Sequence, residues 1–283
     1  MCKENALFLY SKASGRGKKF AKIDEIEAKL SAHFNLDCHE CFSLEEGLNI
    51  VKKEASSYDV LLLFGGDGTL QHYVNALCKL ENPPKIGYLR GGTLNDGGKN
   101  FGARTLNKSI KIILQGHVEE IDVLHTSGET GIYLLAGGAF TDVSYVSKKK
   151  LGFWSYYLRC IKLLFKKQRH EFLIRYGDQE IKMTKPFISI ANGKWIGGFL
   201  VNRKSSITDG LLELIVPRWN FLNGVPALFF NIKRIIKAPS FHIETDPSFQ
   251  WSLDGEKSVQ GSIDVSVAPK KLKFYSAVKS KNR

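Results

Sequence analysis

The chain has 283 residues, 43% hydrophobic and 24% charged, enough to bury a core in one large or two modest domains and without the polar bias of a disordered chain. With 41 Lys+Arg against 28 Asp+Glu, the net charge of +13 draws the protein toward phosphates on nucleotide, anionic lipid or nucleic acid, without choosing among them. Five scattered cysteines imply no disulfide framework and fit a reducing cytoplasm, and no apolar run of about 18 residues predicts a membrane-spanning helix.

The chain opens with a short apolar run, Ala6–Tyr10, too brief for a signal peptide and read as a first strand. Ser14-Gly15-Arg16-Gly17-Lys18 follows it, then a helical pattern over Lys19–Phe34, a strand at Leu36–Phe42 and a helix from Leu44. Within the second strand, Cys38 and Cys41 have CxxC spacing, but no second Cys or His pair stands at zinc-finger distance, so both are read as plain strand residues. Tyr58–Phe64 is almost continuously apolar, the pattern of a parallel strand buried on both faces. Gly65-Gly66-Asp67-Gly68-Thr69 comes next, then a helix from Thr69 with Leu70, Val74, Leu77 and Leu80 on one face. Lys85–Leu89 is a further strand, ending in Arg90-Gly91-Gly92-Thr93-Leu94-Asn95-Asp96-Gly97-Gly98. This β-α alternation predicts an α/β layer architecture with a mainly parallel sheet over residues 1–122.

From residue 123 the pattern changes to strands without regular intervening helices: 132–136, 171–175, 187–191, 211–216, 241–244, 249–253 and 263–267. Tyr176-Gly177-Asp178-Gln179 supplies hairpin-turn chemistry. A second, mainly β domain is therefore placed at 123–271, with the last strand, near 272–283, free to return to the first domain. Two stretches combine apolar and basic residues: Lys148–Arg169, with Trp154, Tyr157, Leu158, Ile161, Leu164 and Phe165 at helical spacing, and Trp219–Lys237. Such stretches either pack on the β domain, line a pocket for an acceptor, or dock on anionic headgroups.

The two glycine loops carry the chemistry. Glycines let backbone N–H groups approach phosphate oxygens, and the following helix N-terminus favours an anion. A single such loop reads equally well as a tight β-α turn; two, delivered by neighbouring strands to the carboxyl-end crevice of an α/β sheet, favour a nucleotide. There is no Walker-type phosphate loop, no dinucleotide fingerprint and no nucleic-acid-binding module, so no nucleic-acid partner is expected.

GGDGTLQHYVNAL from Gly65, GGTLND from Gly91, IDV at 121–123, LLAGG at 134–138, NGKWIGG at 192–198, ITDGLLEL at 207–214 and SLDGE at 252–256 resemble, in order, the motifs of the diacylglycerol-kinase catalytic-domain family, in its soluble bacterial branch. The resemblance covers nearly the whole chain. It implies an α/β nucleotide-binding domain, a C-terminal β-sandwich and an active site in the interdomain cleft. It also implies ATP as phosphoryl donor, Mg²⁺ as cofactor and a lipid hydroxyl in an anionic membrane as acceptor, diacylglycerol foremost, with a cytoplasmic enzyme attached peripherally to the membrane; a homodimer is left open.

Carried over by position, the resemblance implies that Ser43, Gly65, Gly66, Asp67, Gly68, Thr69, Leu70, Gln71, Gly92, Thr93 and Asn95 hold the nucleotide. Glu256 is the implied general base, with Asp67 and Asp254 as further catalytic residues. Asp209, with the carbonyls of Ser206 and Leu211, matches a structural Mg²⁺ site, and Asp96 and Asp122 match an aspartate-water-Mg²⁺ network. On the residues alone, Asp254-Gly255-Glu256 reads as a hairpin turn, Asp96 as a loop cap and Asp122 as a strand end. The chain departs from the family at Ser11-Lys12, where Asn-Pro is usual, and at Gly97-Gly98-Lys99, where aromatic and small residues are usual, which puts nucleotide affinity and acceptor choice in question. Two other readings stay open: a NAD-kinase-like phosphotransferase, whose relatives also use a Gly-Gly-Asp-Gly loop, and a non-catalytic nucleotide or phospholipid sensor.

Overall fold

The computed structural model describes residues 3–11, 23–92, 94–138, 169–217 and 233–277. The chain divides into two units: Met1–Asp122, Gly197–Phe199 and Pro269–Arg283 form the first, and Val123–Ile196 and Leu200–Ala268 the second. The return to the first unit thus begins at Pro269, and Gly197–Phe199 joins that unit without any signal in the sequence.

In the first unit, β1 (Glu4–Tyr10), α1 (Ile23–Ser31), β2 (Phe34–Glu40), α2 (Leu44–Glu54), β3 (Val60–Gly65), α3 (Asp67–Leu77), β4 (Lys85–Arg90), α4 (Asp96–Asn100) and α5 (Leu106–Leu114) follow one another. The strands pair in parallel in the order β2-β1-β3-β4. Every residue of β3 is buried, because strands flank it on both sides and α3, α5 and α1 carry apolar stripes toward the sheet. Ala6, Phe8, Val60, Leu62, Phe64, Ile26, Leu30, Ile110 and Ile113 meet in this unit's core. Two boundaries differ from the sequence reading. Strand β2 starts at Phe34, which pairs with Glu4 and is buried, and it leaves Phe42 outside and 78% exposed. Helix α3 starts two residues before Thr69, because Gly66 takes the N-cap position and an acidic Asp67 suits the positive end of a helix; Leu80 lies beyond its end.

β5 (Val118–Thr126) leads into the second unit, which holds β6 (Glu129–Gly131), β7 (Leu134–Gly138), β8 (His170–Tyr176), β9 (Gln179–Lys185), β10 (Phe187–Ala191), β11 (Trp195–Ile196), β12 (Phe199–Leu200), β13 (Leu212–Pro217), β14 (Lys233–Ala238), β15 (Ser240–Glu244), β16 (Gln250–Leu253) and β17 (Glu256–Gln260). The last strand, β18 (Ile263–Tyr275), pairs antiparallel with β15 through its first half and parallel with β4 at Phe274. One antiparallel sheet runs β14-β13-β10-β7-β16-β17, and another runs from β18 through β15 and β8 to β9. Leu135, Ile190, Leu214 and Trp251 from the first pack in one cluster with Phe172, Ile174, Phe241, Ile243 and Val265 from the second, as in a sandwich. The Lys148–Arg169 stretch lies outside the described residues except for Arg169, and so does 219–232; Lys233–Ala238 is a strand paired with β13, not the end of a basic helix.

Among the described residues, no helix is long and apolar enough to cross a membrane. Burial, joined by the Glu27 carboxylate, pushes the Cys38 thiol up to about 12, and burial raises Cys41 as well, so neither thiol is poised as a reactive thiolate.

Candidate active site

Strands β3 and β4 deliver their loops side by side. Gly65 O accepts from the N–H groups of Gly91 and Gly92, at 2.6 and 3.2 Å, so the second loop is laced to the end of the first strand. The backbones then pass so closely that a Cβ on Gly92 would lie 2.7 Å from Gly66 Cα. Only glycine fits that approach, and it leaves no side chain between the two loops. Asp67 Oδ1 accepts from the Gly97 N–H at 3.0 Å, which ties the first turn of α3 to that of α4.

Tyr88 of β4, which no sequence motif singles out, supports both loops. Its hydroxyl lies 2.9 Å from Gly65 O and 2.9 Å from Asn95 Oδ1, and Asn95 Oδ1 accepts from the Gly92 N–H at 3.0 Å. Burial first, then the Asp67 carboxylate against the opposing pull of Arg90, then Asp96, hold the Tyr88 hydroxyl well above its ordinary value, so it stays a donor. Asn95 itself is left-handed, with φ 50°, a conformation Asn tolerates better than most residues. Two buried polar atoms here have no partner among the described residues, Asn95 Nδ2 and Gln71 Oε1. Gly68, Thr69 and Leu70 continue along α3; Thr93 lies outside the described residues.

Asp96 is 1% exposed. Both its oxygens accept from the Gly198 N–H, at 3.0 and 2.9 Å, and Lys99 Nζ donates to Oδ1 at 3.0 Å. The unusual Lys99 therefore serves as the counter-ion of a buried carboxylate. Gly198, the last residue of the NGKWIGG motif, joins the first unit through this bond. Asp122, equally buried, accepts from the Lys270 N–H at 2.9 Å and pins the bend of β18, where Lys270 has φ 52°. Ser43 stands at the carboxyl end of β2, but its Oγ accepts from the Glu46 N–H at 3.1 Å as the N-cap of α2.

In the second unit, Asp254 and Gly255 have φ of 49° and 91°, a two-residue turn joining β16 to β17. The Asp254 carboxylate accepts from three successive backbone N–H groups, those of Ile132, Tyr133 (3.0 Å) and Leu134 (2.9 Å), the first at 2.5 Å. An oxygen pair committed to three amides anchors the turn that carries Glu256; Asp254, which the resemblance counts among the catalytic residues, faces these backbone N–H groups. Glu256 opens β17 across from Leu253 and is half-buried. Farther off in the chain, Asp209 Oδ1 accepts from the Leu211 N–H at 3.3 Å, while its Oδ2 lies 3.2 Å from Lys237 Nζ. Lys237 also meets the buried Glu213, whose carboxyl burial pushes above its ordinary value against the pull of Lys237 and Ser205. Among the described residues no group of three or more His, Cys, Asp or Glu is arranged to hold a metal ion. Any hard cation here would draw on one or two carboxylates, backbone carbonyls and water.

A family model of the diacylglycerol kinase catalytic domain matches residues 5–126. A diacylglycerol kinase of Staphylococcus epidermidis (strain ATCC 35984) is 34% identical over 217 residues, covering 71% of this chain and 69% of the relative. One from Bacillus subtilis (strain 168) is 25% identical over 272 residues, 89% of this chain and 90% of the relative. A crystal structure of a diacylglycerol kinase from Bacillus anthracis str. Sterne superimposes with a TM-score of 0.83 at 22% identity, covering 98% of each chain, a likeness of fold.

Proposed function

Since the chain belongs to the diacylglycerol kinase catalytic-domain family, we propose that it transfers the γ-phosphoryl group of ATP to a lipid hydroxyl, that of diacylglycerol foremost, giving phosphatidic acid. The observation that carries this reading is the bare backbone cradle at Gly66 and Gly92, fixed by Tyr88 and Asn95 and flanked by Asp67. Phosphoryl transfer asks the protein mainly for positioning and charge neutralisation, which loops of amides and carboxylates can supply. The unpartnered Asn95 Nδ2 and Gln71 Oε1 fit a polar ligand at the same loops, because buried groups of that kind are costly when left unpaired.

Asp67 offers the hard oxygens that would hold Mg²⁺, which, when bound, neutralises the phosphoryl oxygens, whereas Asp96 already has the Lys99 ammonium as its counter-ion. In this reading Asp67 orients the donor loop through Gly97, and Glu256 takes the proton from the attacking hydroxyl. Asp254 keeps Glu256 in place by anchoring its turn. Purified protein with labelled ATP, Mg²⁺ and a panel of dispersed lipids should give a labelled phospholipid. Glu256→Gln should lower its formation by about a hundredfold to ten-thousandfold with the fold intact. Phosphorylation of NAD in place of every lipid would reject the proposal.

The acceptor resides in a bilayer, and the net charge of +13 and the basic aromatic stretch Lys148–Arg169 support peripheral attachment to an anionic surface. Liposomes rich in anionic lipid should sediment the protein at low salt and release it as salt rises; equal recovery on neutral liposomes would exclude electrostatic docking.

A further inference from the structure

Lys237 ends up where a cation is otherwise called for. The β13–β14 register sets it directly opposite Glu213, whose side chain is fully buried. Its ammonium lies 2.9 Å from Glu213 Oε1 and 3.2 Å from Asp209 Oδ2, so one charge bridges the strand and the turn before it. The second Glu213 oxygen accepts from Ser205 Oγ at 2.8 Å, and the remaining Asp209 oxygen accepts from the Leu211 N–H. Each carboxylate thus meets a cation from the chain itself, Glu213 Oε1 as an ion pair without hydrogen-bond geometry. The family resemblance puts a divalent ion on Asp209 and the carbonyls of Ser206 and Leu211, yet a dication there would share that carboxylate with an ammonium at hydrogen-bonding distance and be repelled by it. The donor set and the divalent ion do not fit together while Lys237 holds this position.

We propose that Lys237 is the built-in cation of the Asp209 turn, standing in for a divalent ion, so that the second unit of this chain is independent of metal. This goes beyond the kinase reading, and its test needs neither nucleotide nor turnover, so the two fail separately. An ammonium tethered through a strand is present at all metal concentrations, whereas the stabilisation by a bound ion grows with the logarithm of its concentration above Kd and vanishes when the ion is removed.

The test is thermal unfolding of the full chain, freed of metal by chelation and then supplied with millimolar Mg²⁺ or Ca²⁺. Whatever the wild-type midpoint gains from an ion in the first unit, Asp209→Asn should gain equally, to within about 1 °C. Glu213→Gln/Lys237→Met removes the ammonium and the buried carboxylate it would orphan but keeps Asp209; its midpoint should rise by about 4 °C or more with the ion. Adding Asp209→Asn to that variant should abolish the rise, and Lys237→Arg should behave as wild type. A wild-type rise as large as the double variant's, removed by Asp209→Asn, would overturn the proposal, as would a folded double variant that ignores both ions. Should the double variant not fold, metal analysis of the gel-filtered wild type decides: about one divalent ion per chain, lost in Asp209→Asn, rejects the proposal, and its absence from both supports it.

Discussion

Ser43 has one hydroxyl and two candidate employers. The family resemblance gives it to the nucleotide, whereas its Oγ accepts from the Glu46 N–H and Glu46 Oε2 accepts in turn from the Phe42 N–H at 2.8 Å, a variant of the capping box. Ser43-Leu44-Glu45-Glu46 carries that signature openly in the sequence. Ser43→Ala should therefore cost about 1 kcal/mol in denaturant unfolding and leave the KM for ATP unchanged. A several-fold higher KM at unaltered stability would return the residue to the nucleotide. Asp254 teaches the converse. The triplet Asp254-Gly255-Glu256 names a turn and a candidate base at once, but the target of the Asp254 carboxylate lies about 120 positions earlier in the chain, at Ile132–Leu134, and no local pattern points there.

At the scale of elements, the candidate site is the product of two strand-glycine turns that are legible one by one. A strand followed at once by glycines announces each turn, whereas the acidic helix starts at Asp67 and Asp96 come from the structure. Their mutual lacing follows from the β3–β4 pairing, which brings Gly65 beside Arg90 and so Gly66 beside Gly92. Gly92→Ala should force the two turns apart, since its Cβ would meet Gly66 Cα at 2.7 Å. The expected result is loss of at least 1 kcal/mol of stability together with at least tenfold weaker nucleotide binding, read by urea unfolding and by ATP titration. Retained binding would mean that the loops need not touch. Tyr88 carries no signal of its own in the sequence, because a strand tyrosine reads as packing and the partners of its hydroxyl, Gly65 and Asn95, belong to other elements. Strand β14 escaped because Lys233 and Arg234 beside an apolar run mimic a membrane-seeking helix end, while pairing with β13 decides otherwise.

Over the whole molecule, two separate cores account for the change of pattern near residue 123: one built by helices on a parallel sheet, the other by two antiparallel sheets. Periodicity and glycine placement by themselves determined the α/β character of the first unit, the strand-rich second unit, the two glycine loops and, through the order of motifs, the family. Those are local properties, set by which side chains a strand or helix can bury within a few residues. Only the tertiary structure decided what each charged group faces: Gly198 and Lys99 on Asp96, the β18 bend on Asp122, three amides on Asp254, and Lys237 on both Asp209 and Glu213. A buried charge takes its partner from whatever the fold brings within about 3 Å, and these partners come from register and chain return, which no window of sequence contains.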